Sequence, residues 1–375
     1  MNRHSSNGKH SPRLSRREAL NLLGLGGLGL ISTTHGTPSA LAATWQAAGA
    51  GARRVTFPRG AVIRTLLKDI PPETLTNGAT LFHEHFSIAV PPATPPPPNA
   101  PPPQPNPTQN LSLMIEEAKA AARDGVACIV DGGHADMGRD LEFLKQLTTQ
   151  SGLPIVASGG YYMERVYPRD LATKSEDQIA DDLGREARAN RFGAFGEIGE
   201  NPNAPMSELE RKIFRAVGKA HRRTNLPIFT HNAYGTGPNV PADAGLRQLD
   251  VLESVGVKPA RIAIGHTCCL DDPKADIIKQ IAKRGAFVGF DRVTGGLVPD
   301  DKKVTMVLAF LDAGYADRLL ICSDFTGRRS AARPGYGNAV TVFAPKLRQA
   351  GVKEETLHTI MYDNPRRFLA FVPRT

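Results

Sequence analysis

The chain has 375 residues, a formal charge of +9 and four cysteines. Residues 1–42 hold five Lys/Arg against Glu18, so they carry +4 and leave +5 for residues 43–375, a mildly basic balance without a contiguous Lys/Arg patch that gives nucleic-acid binding little support. Cys128, Cys268, Cys269 and Cys322 match no zinc-finger spacing and are too few for a disulfide framework, so they read as small buried thiols, with a disulfide formed after export or a supporting role for Cys268 and Cys269 beside His266 as the alternatives.

Residues 1–42 read as an address label and not as part of the fold. Ser15-Arg16-Arg17-Glu18-Ala19-Leu20 carries a twin arginine, an apolar glycine-rich run follows at 19–31, and Ser39-Ala40-Leu41-Ala42 offers the small residues of a cleavage site before Ala43. The apolar run falls short of the ~20 residues that cross a bilayer. No cysteine near the cut could carry a lipid. The expectation is export by the twin-arginine route, a periplasmic or secreted location, and no membrane anchor. Residues 43–375 then suit one catalytic domain of the size that α/β barrels reach as a unit.

From residue 79 onward, short apolar runs alternate with longer amphipathic segments, the pattern of parallel strands joined by helices. The runs are 79–85, 127–133, 154–160, 194–199, 227–232, 261–267, 286–291 and 319–324, and helices are predicted among others over 111–123, 141–151, 207–224 and 276–284. Eight such repeats predict a closed (β/α)8 barrel of the TIM type. An open doubly wound sheet would carry a Gly-rich phosphate fingerprint after a strand, and none is present. The proline-rich tract 91–107, directly after the first run, can neither pair in a sheet nor continue a helix, and reads as a loop insertion on the active-site face, either a tolerated surface insertion or a rim over the substrate mouth.

Residues two apart on a strand face the same way, so His83 and His85 can point together into the barrel while Glu84 points outward. Four further ligand types stand at later strand ends: Glu197 on the fourth, His231 on the fifth, His266 on the sixth and Asp324 on the eighth. Barrel active sites lie at the C-terminal ends of the strands. Four histidines and two carboxylates suit two divalent ions, zinc first, with manganese, cobalt or iron fitting the same donors. A fourth-strand carboxylate can bridge the ions, which acidify a shared water, and Asp324 can act as general base. Of the remaining histidines, His221 and His358 fall in helical segments and read as surface residues, while His134 follows the second strand and could reach the site.

With these motifs the chain resembles the phosphotriesterase-related branch of the amidohydrolase superfamily. The resemblance rests on Arg64-Thr65-Leu66 with Asp69-Ile70-Pro71-Pro72-Glu73, Thr80-Leu81-Phe82-His83-Glu84-His85, Gly138-Arg139-Asp140, Glu197-Ile198-Gly199, Thr230-His231 and Gly265-His266. It continues through Gly289-Phe290-Asp291-Arg292, Ser323-Asp324 and Asn364-Pro365-Arg366-Arg367-Phe368-Leu369. It implies that His83, His85 and Asp324 hold the more buried ion, His231 and His266 the more exposed one, and Glu197 both. The best-known members bridge with a carboxylated lysine, so Glu197 places this chain with the glutamate-bridged relatives. In organophosphate hydrolysers a histidine after strand seven and an aspartate after the strand-six histidine relay the proton. Arg292 and Cys269 stand in those places here, which favours a carboxylic ester or lactone over a phosphotriester. Tyr162 matches a tyrosine of the lactonase relatives that contacts the ester oxygen, and Tyr162 and Arg292 are the candidate substrate contacts. A homodimer is also implied.

Two other readings compete. The Tat-associated deoxyribonucleases share the HxH, a Glu-Ile-Gly strand and a late aspartate, but lack the entry at 69–73 and the ending at 364–368. A non-catalytic exported metal or solute binder would need no general base at Asp324.

Overall fold

The computed structural model describes residues 55–92, 106–201, 205–232, 234 and 241–374. The predicted leader and residues 93–105 of the proline tract lie outside them. Eight parallel strands run in sequential order around a (β/α)8 barrel: β1 (Ala79–Glu84), β2 (Val126–Asp131), β3 (Ile155–Gly159), β4 (Ala194–Gly199), β5 (Ile228–His231), β6 (Ile262–Ile264), β7 (Phe287–Phe290) and β8 (Leu319–Ile321). Every residue of these strands is buried, the consequence of helices outside and packed side chains inside, and the reason the runs read as continuously apolar.

The seam between β1 and β8 closes at its C-terminal end. His85 donates its N–H to Phe325 O (3.0 Å) and Asp324 donates to His83 O (3.2 Å). Glu84, alternating outward from the two histidines, accepts the N–H groups of Ser323 (2.9 Å) and Phe325 (2.6 Å) with its two carboxylate oxygens. The outward residue of the HxH pair thereby fixes the segment that carries Asp324 against the strand that carries His83 and His85. Burial pushes the Glu84 carboxyl well up, against the two backbone N–H groups that favour its ionised form.

The first four helices begin where the sequence supplies side-chain caps. Asn110 caps α1 (Leu111–Arg123) and Asp140 caps α2 (Leu141–Ser151). Capping boxes of Ser175 with Gln178 and Ser207 with Glu210 open α3 (Glu176–Ala189) and α4 (Glu208–Thr224). The outer layer continues with α5 (Ala244–Ser254), α6 (Asp276–Lys283), α7 (Asp300–Asp312) and α8 (Ala344–Gln349). Among the described residues no helix is long and apolar enough to cross a membrane. Both ends of the proline tract are tied to the C-terminal mouth: Pro91 O accepts from Arg165 (2.8 Å), and Ile88 O accepts from Asn106 (2.8 Å) and Thr108 (2.7 Å). In the closing motif, Asn364 donates to Ala316 O and Leu319 O, and the Phe368 ring packs edge-on to Phe82 and Phe287.

Two histidines expected at the surface are buried. His358 stacks on Tyr362 at 4.7 Å, with Nδ1 3.4 Å from the Asp363 carboxylate. His221 turns its Nδ1 to Leu226 O (2.6 Å), closing the turn from α4 into β5. Burial holds the His221 ring neutral, with Arg261, Arg374 and Arg222 adding repulsion, and its pKa falls from 6.5 to about 4. The folded chain therefore binds fewer protons at His221 than the unfolded chain as pH falls from 6.5 to about 4. Folding loses stability across that window, by up to about 3 kcal/mol. His221→Gln, which keeps a donor for Leu226 O, should flatten the slope of Tm against pH between those limits. An unchanged slope contradicts this assignment.

Candidate metal centre

The residues singled out at the strand ends converge on one point. Glu197 is central: Oε2 lies 3.3 Å from His83 Nε2, 2.7 Å from His231 Nδ1 and 3.5 Å from His266 Nε2, while Oε1 lies 3.2 Å from His85 Nε2. Asp324 Oδ1 approaches His85 Nε2 at 3.1 Å and His83 Nε2 at 3.7 Å. The donors fall into two sets, His83, His85, Glu197 and Asp324, and then Glu197, His231 and His266. In each set the ligand atoms lie within 4.8 Å of one another, and Glu197 belongs to both.

Local backbone geometry holds this convergence. His266 (φ 53°) and Asp324 (φ 46°) take the left-handed region, which costs a non-glycine residue on the order of 1–3 kcal/mol and marks positions that the surroundings over-determine. Gly132, just past β2, leaves the space beneath the HxH pair: a Cβ there would meet His83 Cδ2 at 3.0 Å and His85 Cε1 at 3.1 Å. His134, expected within reach of the site, is buried beside Asp136 (3.4 Å) and belongs to neither donor set.

Sequence reasoning missed Asp291 as part of the site. Its fully buried carboxylate lies 3.0 Å from His83 Nδ1 through Oδ2 and 3.0 Å from His266 Nδ1 through Oδ1, and Oδ1 also accepts the His266 N–H at 2.7 Å. One carboxylate thus orients a histidine from each donor set and turns Nε2 of both toward Glu197, the arrangement that fixes tautomer and basicity in metal-binding imidazoles. The missed signal was its position at the end of the seventh run, in register with the other ligands.

The electrostatics fit cations. Three carboxylates, Glu197, Asp291 and Asp324, are packed among four imidazoles, and His83 Nε2 and His231 Nε2 are buried without a hydrogen-bond partner. Burial works against protonation of His85 and His266, yet the carboxylates beside them, Asp324 and Glu197 for His85 and Asp291 and Glu197 for His266, lift each to about 10. His83 is likewise raised against its burial by Glu197 and Asp291. Burial lowers His231 instead. Despite burial, the surrounding histidines hold Glu197 well below the usual carboxylate range. The cluster calls for positive charge at its centre, and neutral imidazoles with ionised carboxylates are the donors from which divalent ions draw it.

The two candidate substrate contacts flank the cluster. Tyr162 stands edge-on to His231 with ring centroids 4.8 Å apart, its N–H held by Asp136 Oδ2 at 2.8 Å. Burial, with Glu197 and Asp324 adding to it, raises the phenol well above its usual range and keeps it a donor. Arg292 Nε lies 3.4 Å from Asp324 Oδ2. The Arg292 backbone is pinned by its N–H to Cys268 Sγ (3.3 Å) and by the fully buried Lys303, whose ammonium donates to Arg292 O (2.6 Å). All four cysteines are free and buried, and Cys268 Sγ lies 4.0 Å from Cys269 Sγ.

Comparison with known proteins agrees with this architecture. The phosphotriesterase homology protein of Escherichia coli (strain K12) is 32% identical over 255 residues, 65% of this chain and 84% of its own length. Its solved structure superposes with a TM-score of 0.67 at 27% identity, covering 78% of this chain and 98% of that one. The aryldialkylphosphatase of Saccharolobus solfataricus is 32% identical over 315 residues, 78% of this chain and 95% of its own. The N-acetyltaurine hydrolase of Rattus norvegicus is 25% identical over 354 residues, 82% of this chain and 98% of its own. The sequence model of the Phosphotriesterase family matches residues 64–369, a span that takes in every strand and ligand described above, and the chain belongs to that family of metal-dependent hydrolases.

Proposed function

We propose that the protein is an exported binuclear hydrolase that opens a lactone or cleaves a carboxylic ester. The observation that carries the reading is the placement of Asp324, with Oδ1 turned to His85, Oδ2 turned to Arg292, and its side chain 16% open to solvent. His83, His85 and Asp324 would hold one ion, His231 and His266 the other, and Glu197 both. Two divalent ions there, zinc by the preference of imidazole-rich sites, supply an acidified water and an electrophile for the scissile carbonyl.

The chain's own residues supply the rest. Asp324 Oδ2 takes a proton from the attacking water and passes it to the departing alkoxide oxygen. Against burial, the hydrogen bond to His85 and the neighbouring histidines hold that carboxyl below its usual range, and Arg292 Nε, 3.4 Å from Oδ2, also disfavours the protonated form, which hastens the hand-over. The Tyr162 phenol, held as a donor, faces the ester oxygen. Asp291 holds His83 and His266 with Nε2 presented to the centre.

Because Arg292 occupies the place beside the base, the proton goes straight to the leaving group, which suits a single departing alkoxide. The same guanidinium, 31% exposed in its side chain, favours a second reading, an amide bearing an anion, in line with the name of the N-acetyltaurine hydrolases. A screen of metal-loaded protein against lactones, aryl esters, N-acyl aminosulfonates, aryl dialkyl phosphates and single-stranded DNA decides. A lactone or ester should lead the phosphate triester by at least tenfold in kcat/KM. A lead by the triester or by DNA overturns the substrate assignment, and inertness toward every class favours a binding protein.

A further inference from the structure

The face of the barrel opposite the metal centre holds two adjoining concavities of about 290 and 380 Å3, which share Phe371 and Arg374. Arg64, Arg188, Arg191 and Arg223 join Arg374 around the first, and Arg222, Lys258 and Arg261 join it around the second. No carboxylate lines either. Arg191, Leu226 and Arg261 stand just before β4, β5 and β6, at the strand ends remote from the ligands.

Three carboxylates approach these cations from outside the concavities. Asp69 Oδ1 is shared by Arg64 Nε (3.0 Å) and Arg191 Nη2 (2.8 Å), and Asp177 and Asp181 each meet Arg223 at 2.8 Å. Among the described residues Arg188, Arg222, Lys258, Arg261 and Arg374 have no carboxylate within ion-pair distance. Eight cations against three carboxylates leave five positive charges, as many as the formal excess of the whole span 43–375. Helix C-termini account for Arg188, Arg222 and Arg223, which sit at the ends of α3 and α4 where cations meet the negative pole. The other five lie outside the α-helices. Arg261 is the most costly of them, because burial drives its pKa down to about 10 and its guanidinium meets only the carbonyls of Ala370 (2.9 Å) and Asn225 (3.2 Å). Arg188, Arg222, Lys258 and Arg374 are exposed and Arg261 is half-buried, so cationic groups without a carboxylate partner line the concavities and offer an oxyanion its charge-assisted hydrogen bonds.

We infer that this arginine-lined groove binds a phosphate-type oxyanion, free in solution or as the headgroup of an anionic lipid. Guanidinium groups clasp such an anion bidentately, and Phe371, with Arg64 lying over its ring at 5.2 Å, gives the groove an apolar floor. Concavities of this size take a phosphate group more readily than the backbone of a nucleic acid. The inference does not depend on the hydrolase reading, since none of these residues belongs to the metal centre.

The test is titration of the metal-loaded full chain with inorganic phosphate, alongside sedimentation with phosphatidylglycerol and with phosphatidylcholine vesicles. Phosphate at the metal centre is separated by repeating each titration in Glu197→Gln, which leaves the groove intact. In that background Arg374→Gln with Arg191→Gln should raise the phosphate Kd at least tenfold. In the otherwise wild-type chain the pair should leave hydrolysis and Tm unchanged, and Arg374→Gln alone guards against loss of folding. Binding of phosphatidylglycerol vesicles without free phosphate assigns the lipid source, and binding of both assigns the soluble anion as sufficient. Affinity that Arg374→Gln and the pair leave unchanged, or the absence of both kinds of binding below 10 mM phosphate, a ceiling roughly one tenfold step weaker than the 1 mM affinity scale, overturns the inference.

Discussion

Asp324→Asn should lower kcat by roughly 10^3-fold, within the range a positioned general base supplies, while metal content stays close to that of the wild type. The amide keeps the carboxylate's shape and an oxygen facing His85, so a ligand remains, but it cannot accept a proton or balance Arg292. The two readouts separate base from scaffold. If turnover fell only in proportion to metal lost, Asp324 would be a ligand alone, and retention of full activity would remove the mechanism altogether. Arg292→Gln gives a smaller companion effect through the same oxygen.

The second large effect belongs to Glu197. Its carboxylate faces all four histidines at 2.7 to 3.5 Å. Glu197→Gln removes the only charge common to both donor sets and leaves His231 and His266, whose ring nitrogens lie 2.7 Å apart, without a shared anion. Loss of a merely supporting carboxylate weakens metal binding about 10–100-fold. Loss of the common ligand should exceed that, reducing metal content by at least one equivalent per chain and kcat/KM by roughly 10^3-fold, more than loss of a supporting group brings. A variant that still held two equivalents and full activity would show that Glu197 does not bridge.

Much of the barrel was legible because its strands are short, apolar and buried on both faces, and because ligand-type residues interrupt that apolarity at their ends. His83, His85, Glu197, His231, His266 and Asp324 stood out as polar side chains closing otherwise greasy runs, and the fold gathers them around Glu197. Asp291 carried the same mark and was overlooked because it serves the histidines from behind, a role that shows only when Nδ1 and Nε2 are told apart. Glu84 read merely as outward, whereas the fold uses it to close the seam. His221 and His358 were misjudged because a polar residue in an amphipathic helix reads as exposed until its partner, Leu226 O or Tyr362, comes into view. The arginine groove was invisible because its residues come from separate stretches between Arg64 and Arg374, none of them basic enough alone to register.

The central claim is that these six ligands hold two divalent ions that hydrolysis needs. It is tested most directly by metal analysis of the purified chain, before and after chelator dialysis, with activity measured on the same samples. The account predicts about two equivalents per chain in the active protein, near-complete loss of turnover on stripping, and recovery as the second equivalent is restored. Full activity after stripping, or recovery complete at one equivalent, would contradict it.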